Sequence, residues 1–94
     1  MLFFRLQPSG LGIDHLSETS SGELADGLHV FVGAHEVVRL DALPPEWYGD
    51  EVVVIEANHF WPNDDVEGVC IDGAQARVVA RIPFSEFNPD EWNA

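Results

Sequence analysis

The amino-acid sequence predicts an α+β domain with a five-stranded, mainly antiparallel or mixed sheet and one helix on a face of that sheet. Short apolar runs are separated by glycine and proline, which is typical of strands. Only one longer segment has helical spacing. The 94 residues are 46% hydrophobic, with six Phe and three Trp, enough for one core and too few for two. We therefore treat residues 1–94 as a single domain.

The first half of the chain contains two predicted strands and the predicted helix. Residues 2–6 form a first apolar run, and residues 9–27 are a long polar segment with four glycines. Ordered loops of that length are usually functional or mobile. Residues 28–32 are the second strand. Residues 34–43 place apolar side chains at helical spacing, and Pro44 stops the helix.

The second half contains the strongest strand prediction. Residues 52–57 begin with a continuous apolar run, Val-Val-Val-Ile, which indicates a central strand covered on both faces. Residues 66–71 and 76–82 flank Asp72-Gly73, a dipeptide common in tight turns, and so predict a hairpin. The residues at 85–92 also allow a short C-terminal helix. In the second arm of the hairpin, alternation predicts one shared face for Ala76, Val78, Ala80 and Ile82.

The charge balance excludes several classes of partner. Seventeen carboxylates face four arginines and no lysine, for a formal net charge of −13. Such a chain repels nucleic acid and anionic lipid and attracts basic surfaces, so we expect no direct nucleic-acid contact and no membrane contact. Thirteen charges match about 22 Å of duplex DNA, so a nucleic-acid mimic is one interpretation. Small phage inhibitors of bacterial nucleases and immunity proteins of basic toxins are similar to this chain in composition. An even spread of the acids is the alternative.

The cellular compartment follows from the cysteine count and the N terminus. Cys70 is the only cysteine, so no internal disulfide can form, which is typical of a reducing environment. The apolar start of the chain is too short for a signal sequence, and Arg5 interrupts it. No stretch reaches membrane-spanning length. We therefore expect a cytoplasmic protein.

The predicted binding site is a loop that combines aromatic and acidic residues. Asp64, Asp65 and Glu67 cluster just after Phe60 and Trp61. An exposed tryptophan is a frequent binding anchor, although the pair could instead fold back over the core. The carboxylates lack the spacing of a calcium loop, so a solvated acidic loop is the better interpretation and no metal is predicted. The expected partner is a basic protein surface.

Catalysis has less support than binding. Cys70 lies in a strand among acidic neighbours that disfavour a thiolate, which indicates a buried structural cysteine. The Gly-x-Ser-x-Gly nucleophile motif is absent, and Ser20 and Ser21 are better explained as turn or cap residues. The histidines lack the spacing of a zinc motif. We therefore expect no cofactor, and a binding protein rather than an enzyme.

Three segments resemble the strands of the ADP-ribosyltransferase-like group. Residues 3–8, Phe-Phe-Arg-Leu-Gln-Pro, resemble its first strand. Residues 27–32, followed by a helix, resemble its next step, and residues 52–57 resemble its following central strand. The chain is also similar to RES-type NAD-consuming toxins over roughly its first two-thirds, and it is shorter than most active members of the group.

This resemblance implies an alternative function, an NAD-binding enzyme or an inactive relic of one. Arg5 would occupy the position of the NAD-contacting residue in the first strand. Ser20 or Ser21 would be the counterpart of a serine in the middle of the sheet. The late catalytic glutamate of the group has no clear match, and Glu67 is the candidate for it.

Overall fold

The structure, a computed structural model, describes residues 1–13, 28–39, 49–62 and 68–92. The described ranges contain one α-helix and three short 3-10 helices, none long and apolar enough to cross a membrane. The strands and the helix are β1 (Leu2–Gln7), β2 (Leu28–Val30), α1 (Ala34–Val38), β3 (Glu51–Glu56), β4 (Trp61–Pro62), β5 (Val69–Ile71) and β6 (Arg77–Pro83).

The fold is α+β, as the sequence predicts, but its strands form two sheets instead of one. One sheet has the order β1-β3-β6 and the other has the order β2-β5-β4. All pairings between these strands are antiparallel. The prediction of a single five-stranded sheet is therefore wrong. The sheets meet at one bridge, where Phe4 and Phe31 exchange two backbone hydrogen bonds of 2.8 Å.

The core consists of two clusters on opposite faces of the β1-β3-β6 sheet. Alternation along a strand sends Phe3 to one face and Phe4 to the other. Residues 52–55 of β3 are all fully buried, which confirms the central strand covered on both faces. Burial of each such side chain contributes about 1.5–3 kcal/mol. The Phe3 cluster contains Phe3, Ile13, Leu28, Val30, Val53, Ile55, Ala57 and Ile71, and the Phe4 cluster contains Phe4, Leu6, Phe31, Ala34, Val37, Val52, Val54 and Phe87.

The helix lies on the Phe4 side of this sheet. Ala34 and Val37 are its buried residues, and both belong to the Phe4 cluster. The described helix ends at Val38 with Arg39 as its C-cap, and residues 40–43 of the predicted helix lie outside the described ranges. The second strand ends at Val30, two residues earlier than predicted.

The predicted hairpin at Asp72-Gly73 does not form. A 3-10 helix, Gly73–Gln75, follows β5, and β6 then pairs with β3 in the other sheet. Hydrogen bonds from Gln75 N to Asp72 O (3.1 Å) and from Ala76 N to Gly73 O (3.4 Å) turn the chain there. β3 provides a buried neighbour for β6, whereas β5 already lies between β2 and β4.

A β-bulge divides β6 into two parts that face opposite ways. Val54 lies opposite Ala80, but the next residue, Ile55, lies opposite Val78, so Val79 is an extra residue. One inserted residue reverses the side-chain alternation. The prediction of one shared face is therefore wrong: Ala76 and Val78 pack against the Phe3 cluster, and Ala80 and Ile82 against the Phe4 cluster.

The C-terminal segment contains two 3-10 helices where the sequence allows one short helix. They span Phe84–Glu86 and Pro89–Glu91, and the Asn88 side chain caps the second by accepting a hydrogen bond from Asp90 N (3.1 Å). Phe87 between them is buried against Phe4, with ring centroids 6.2 Å apart. This segment closes the Phe4 cluster beside α1.

Candidate functional site

The aromatic pair of the predicted site is held by the core and by strand pairing. Trp61 lies in β4, opposite Cys70 of β5, where the sequence predicts a loop. The Phe60 ring packs against Phe3, with ring centroids 5.6 Å apart and planes at 58°. Phe60 nevertheless remains 48% exposed and Trp61 36% exposed. Each of the two side chains therefore contacts the protein and also presents apolar surface to solvent.

The acidic trio of the predicted site follows this pair in the chain. Asp64, Asp65 and Glu67 lie outside the described residues. The flanking positions are fixed, since Pro62 pairs with Val69 at the end of β4. The acidic segment, residues 63–67, therefore begins after Pro62 and is joined to β5 by Gly68.

Gly68 forms the junction between the acidic segment and β5. Its φ is +99°, in the region that only glycine adopts readily. A Cβ atom at this position would lie 2.5 Å from the Val30 carbonyl oxygen and 2.8 Å from His29 Nε2. The chain thus enters β5 in close contact with β2, and this contact requires the absence of a side chain.

A polar cavity lies beside the aromatic pair, and sequence reasoning did not find it. It has a volume of about 120 Å³ and is lined by Ala57, Asn58, His59, Asp72 and Gln75. The residues come from the chain after β3 and from the turn after β5. The pairing of β4 with β5 brings these two segments together. The sequence analysis instead paired β5 with the strand that follows it, β6.

The arginines of β6 pair with glutamates of β3. Arg77 Nη2 lies 3.0 Å from Glu56 Oε1, and Arg81 Nη1 lies 2.8 Å from Glu51 Oε1. Glu56 and Arg77 lie directly opposite each other in the β3–β6 pairing. The hydrogen bond and the charge of Arg77 lower the pKa of Glu56 below its ordinary value. These two pairs cancel charge locally on the β3–β6 surface.

A second group of acids lies around α1 and the C-terminal 3-10 helices. Glu36, Glu86 and Glu91 form no ion pair with an arginine in the part of the chain that the structure describes. Asp90 Oδ1 lies 3.1 Å from His35 Nε2, and both side chains are at least half exposed. More than half of the seventeen carboxylates belong to the segments outside the described ranges.

Arg5, the residue that the family resemblance assigns to NAD, lies in the gap between the two sheets. Its Nε donates to Gln7 Oε1 (3.0 Å), and its Nη1 donates to the His29 carbonyl oxygen (2.8 Å). The buried Gln7 side chain in turn donates to the Leu11 carbonyl oxygen (2.6 Å). Burial lowers the pKa of the Arg5 guanidinium, because desolvation disfavours the charged form. Both acceptors of Arg5 are neutral.

Two groups of residues thus remain as candidates for function. The first combines Phe60 and Trp61 with the acidic segment and the neighbouring cavity. The second is Arg5, whose proposed companions Ser20 and Ser21 lie outside the described residues. Comparison with known proteins found no matching family model, no matching curated protein and no matching solved structure.

Proposed function

We propose that this chain is a small acidic binding or inhibitory protein that engages a basic protein surface. The binding residues are Phe60 and Trp61, together with Asp64, Asp65 and Glu67 of the acidic segment. The observation that carries the proposal is the aromatic pair, which is held partly exposed three residues before the first of three clustered carboxylates. A protein that normally binds nucleic acid, such as a nuclease, is one kind of partner that suits this charge.

The aromatic pair is suited to act as the anchor. Phe60 rests on Phe3, and strand pairing with Cys70 fixes the backbone of Trp61. A side chain that is already positioned loses less conformational entropy on binding than one in a free loop. Buried tryptophan is among the residues that contribute most to protein interfaces.

The charge of the chain is suited to attract the partner. Arg77 and Arg81 are committed to β3, and Arg5 is committed to Gln7 and His29, so three of the four cations stand in fixed contacts. Clustered carboxylates outside the β3–β6 surface raise the rate of encounter with a cationic protein and favour the correct orientation. Cys70, the single cysteine of the sequence, is buried and suits a reducing compartment, and we place this function in the cytoplasm.

The test is capture of a partner from lysate of the native host by matched variants. The first variant is Trp61→Ala. The second neutralises the acidic segment with Asp64→Asn, Asp65→Asn and Glu67→Gln. The control removes the same number of charges elsewhere, with Glu36→Gln, Glu86→Gln and Glu91→Gln.

The proposal requires a basic protein that the wild type and the control capture and that both site variants lose. Because the two triple variants have the same net charge, nonspecific attraction predicts equal losses for them. Equal capture by all forms, or equal loss in both triple variants, would contradict the proposed site. Mass spectrometry identifies the captured protein, and circular dichroism checks that each variant is folded.

A second candidate function, NAD binding, is favoured by Arg5. Among the described residues, the half-buried Arg5 guanidinium donates to two neutral acceptors, so its positive charge is available to an anion such as a pyrophosphate. Calorimetric titration with millimolar NAD tests this function. Arg5→Gln should abolish the heat of binding, whereas Arg39→Gln, which removes an exposed cation from the end of α1, should preserve it. No heat with the wild type would refute NAD binding and leave the first proposal standing.

A further inference from the structure

We infer that the polar cavity next to the aromatic pair receives an arginine side chain of the basic partner; this inference rests on the proposed function. The lining contains one carboxylate, two side-chain amides and one imidazole, contributed by Asp72, Asn58, Gln75 and His59. The cavity would add a specific contact to an interface that otherwise consists of the aromatic anchor and the attraction between acidic and basic surfaces.

Strand pairing and a tight turn position the lining. Antiparallel pairing places Trp61 opposite Cys70 and Pro62 opposite Val69. His59, two residues before Trp61, and Asp72, two residues after Cys70, both line the cavity. The 3-10 helix Gly73–Gln75 then bends the chain so that Gln75 reaches the same cavity. Backbone hydrogen bonds hold both sides of the cavity: Ala57 N donates to Met1 O (3.1 Å), and Gln75 N donates to Asp72 O (3.1 Å).

The chemistry of the lining fits a guanidinium better than an ammonium. Guanidinium is planar, has five N–H donors and is more weakly hydrated than ammonium. Of the lining residues, Asp72 has a carboxylate that can supply the opposite charge, and Asn58 and Gln75 have amide oxygens that can supply further acceptors. The volume of about 120 Å³ equals that of roughly four liquid waters, which suits the head of an arginine side chain.

The position of the cavity links it to the proposed anchor. Asn58 and His59 directly precede Phe60 and Trp61 in the chain. A partner that covers the aromatic pair would therefore place neighbouring side chains over the cavity. Desolvation on binding would strengthen the attraction between Asp72 and a cation.

The test titrates the isotope-labelled, full chain with Nα-acetyl-arginine amide and follows backbone amide shifts by NMR. Nα-acetyl-citrulline amide has nearly the same shape and no charge, and it serves as the control probe. Arginine should cause saturable shifts at residues 58, 59, 72 and 75, and citrulline should not. Asp72→Asn should weaken arginine binding by about tenfold or more, because it removes a charge-assisted hydrogen bond.

Two further variants keep the inference falsifiable. Gln75→Ala alters an exposed lining residue without disturbing the core and should also weaken arginine binding. Glu86→Gln removes a charge outside the cavity lining and should leave it unchanged. Equal shifts with citrulline, or equal losses for Asp72→Asn and Glu86→Gln, would overturn the inference.

The outcomes separate this inference from the proposed function. If arginine does not bind while capture of the partner still depends on Trp61, the cavity assignment is wrong and the proposed function stands. If arginine binds as expected but no basic protein depends on Trp61, the proposed function is wrong, and with it the role of the cavity in a partner complex.

Discussion

Replacing Gly68 by alanine should destabilise the protein more than a positive φ alone explains. At φ +99°, any L side chain is strained, which costs about 1–2 kcal/mol. The new Cβ would also lie 2.5 Å from the Val30 carbonyl oxygen, a backbone atom that cannot rotate away. Overpacking of this kind costs typically about 1–3 kcal/mol. Together, the free energy of unfolding should fall by about 2–5 kcal/mol.

Gly10→Ala provides the matched control for this prediction. Gly10 also has a positive φ, +80°, but a Cβ atom there would meet no atom within 4 Å. Only the backbone strain remains, so the loss should be about 1–2 kcal/mol. Urea unfolding followed by tryptophan fluorescence measures both variants. Equal losses would show that β5 does not pass β2 as closely as the structure indicates.

The remaining predictions concern the core, the bulge and acid stability. Ile55→Ala, at a fully buried position of β3, should lower the free energy of unfolding by about 2–5 kcal/mol. Val79→Ala, at the exposed bulge, should change it by less than about 0.5 kcal/mol. The midpoints of urea unfolding measure the difference between the two variants. The depressed pKa of Glu56 stabilises the fold above the ordinary value of 4.5, and this stability is lost as pH falls further. Glu56→Gln should therefore reduce the loss of unfolding free energy between neutral and acid pH. The control is Glu86→Gln, which removes a carboxylate that has no arginine partner among the described residues. Equal acid sensitivity in the wild type and both variants would count against the Arg77–Glu56 contact.

The sequence was sufficient to predict the elements that depend only on the pattern of apolar and polar residues within one segment. Residues 52–55 have no polar side chain, so they require cover on both faces, and β3 has that cover. The helix at Ala34–Val38 follows from helical spacing of its apolar residues. These predictions needed no knowledge of which strand lies beside which.

Strand pairing was not predictable from the same information. Asp72-Gly73 fits a two-residue turn, but Gly73–Gln75 instead forms a 3-10 helix that leads β6 to β3. The choice depends on the partners available to β5 and β6 across the whole fold. Likewise, the bulge at Val79 reverses the facing of β6, and simple alternation cannot reveal an inserted residue.

The candidate site was predicted only in part for the same reason. The sequence identified Phe60 and Trp61 as a potential anchor, and the structure adds that Phe3 and Cys70 hold them in place. The cavity lined by Asp72 lies next to the β4–β5 pairing, and the sequence analysis did not predict that pairing because it treated Phe60 and Trp61 as part of a loop. The neutral surroundings of Arg5 depend on a contact between sheets, with the carbonyl oxygen of His29.

The most direct test of the account is the salt dependence of binding between this chain and the basic partner that it captures. The account predicts that the logarithm of the affinity falls with the logarithm of the salt concentration for the wild type. Neutralising Asp64, Asp65 and Glu67 should make that slope shallower, while neutralising Glu36, Glu86 and Glu91 should leave it unchanged. Identical slopes for the two triple variants would contradict the claim that charge beside the aromatic pair directs binding.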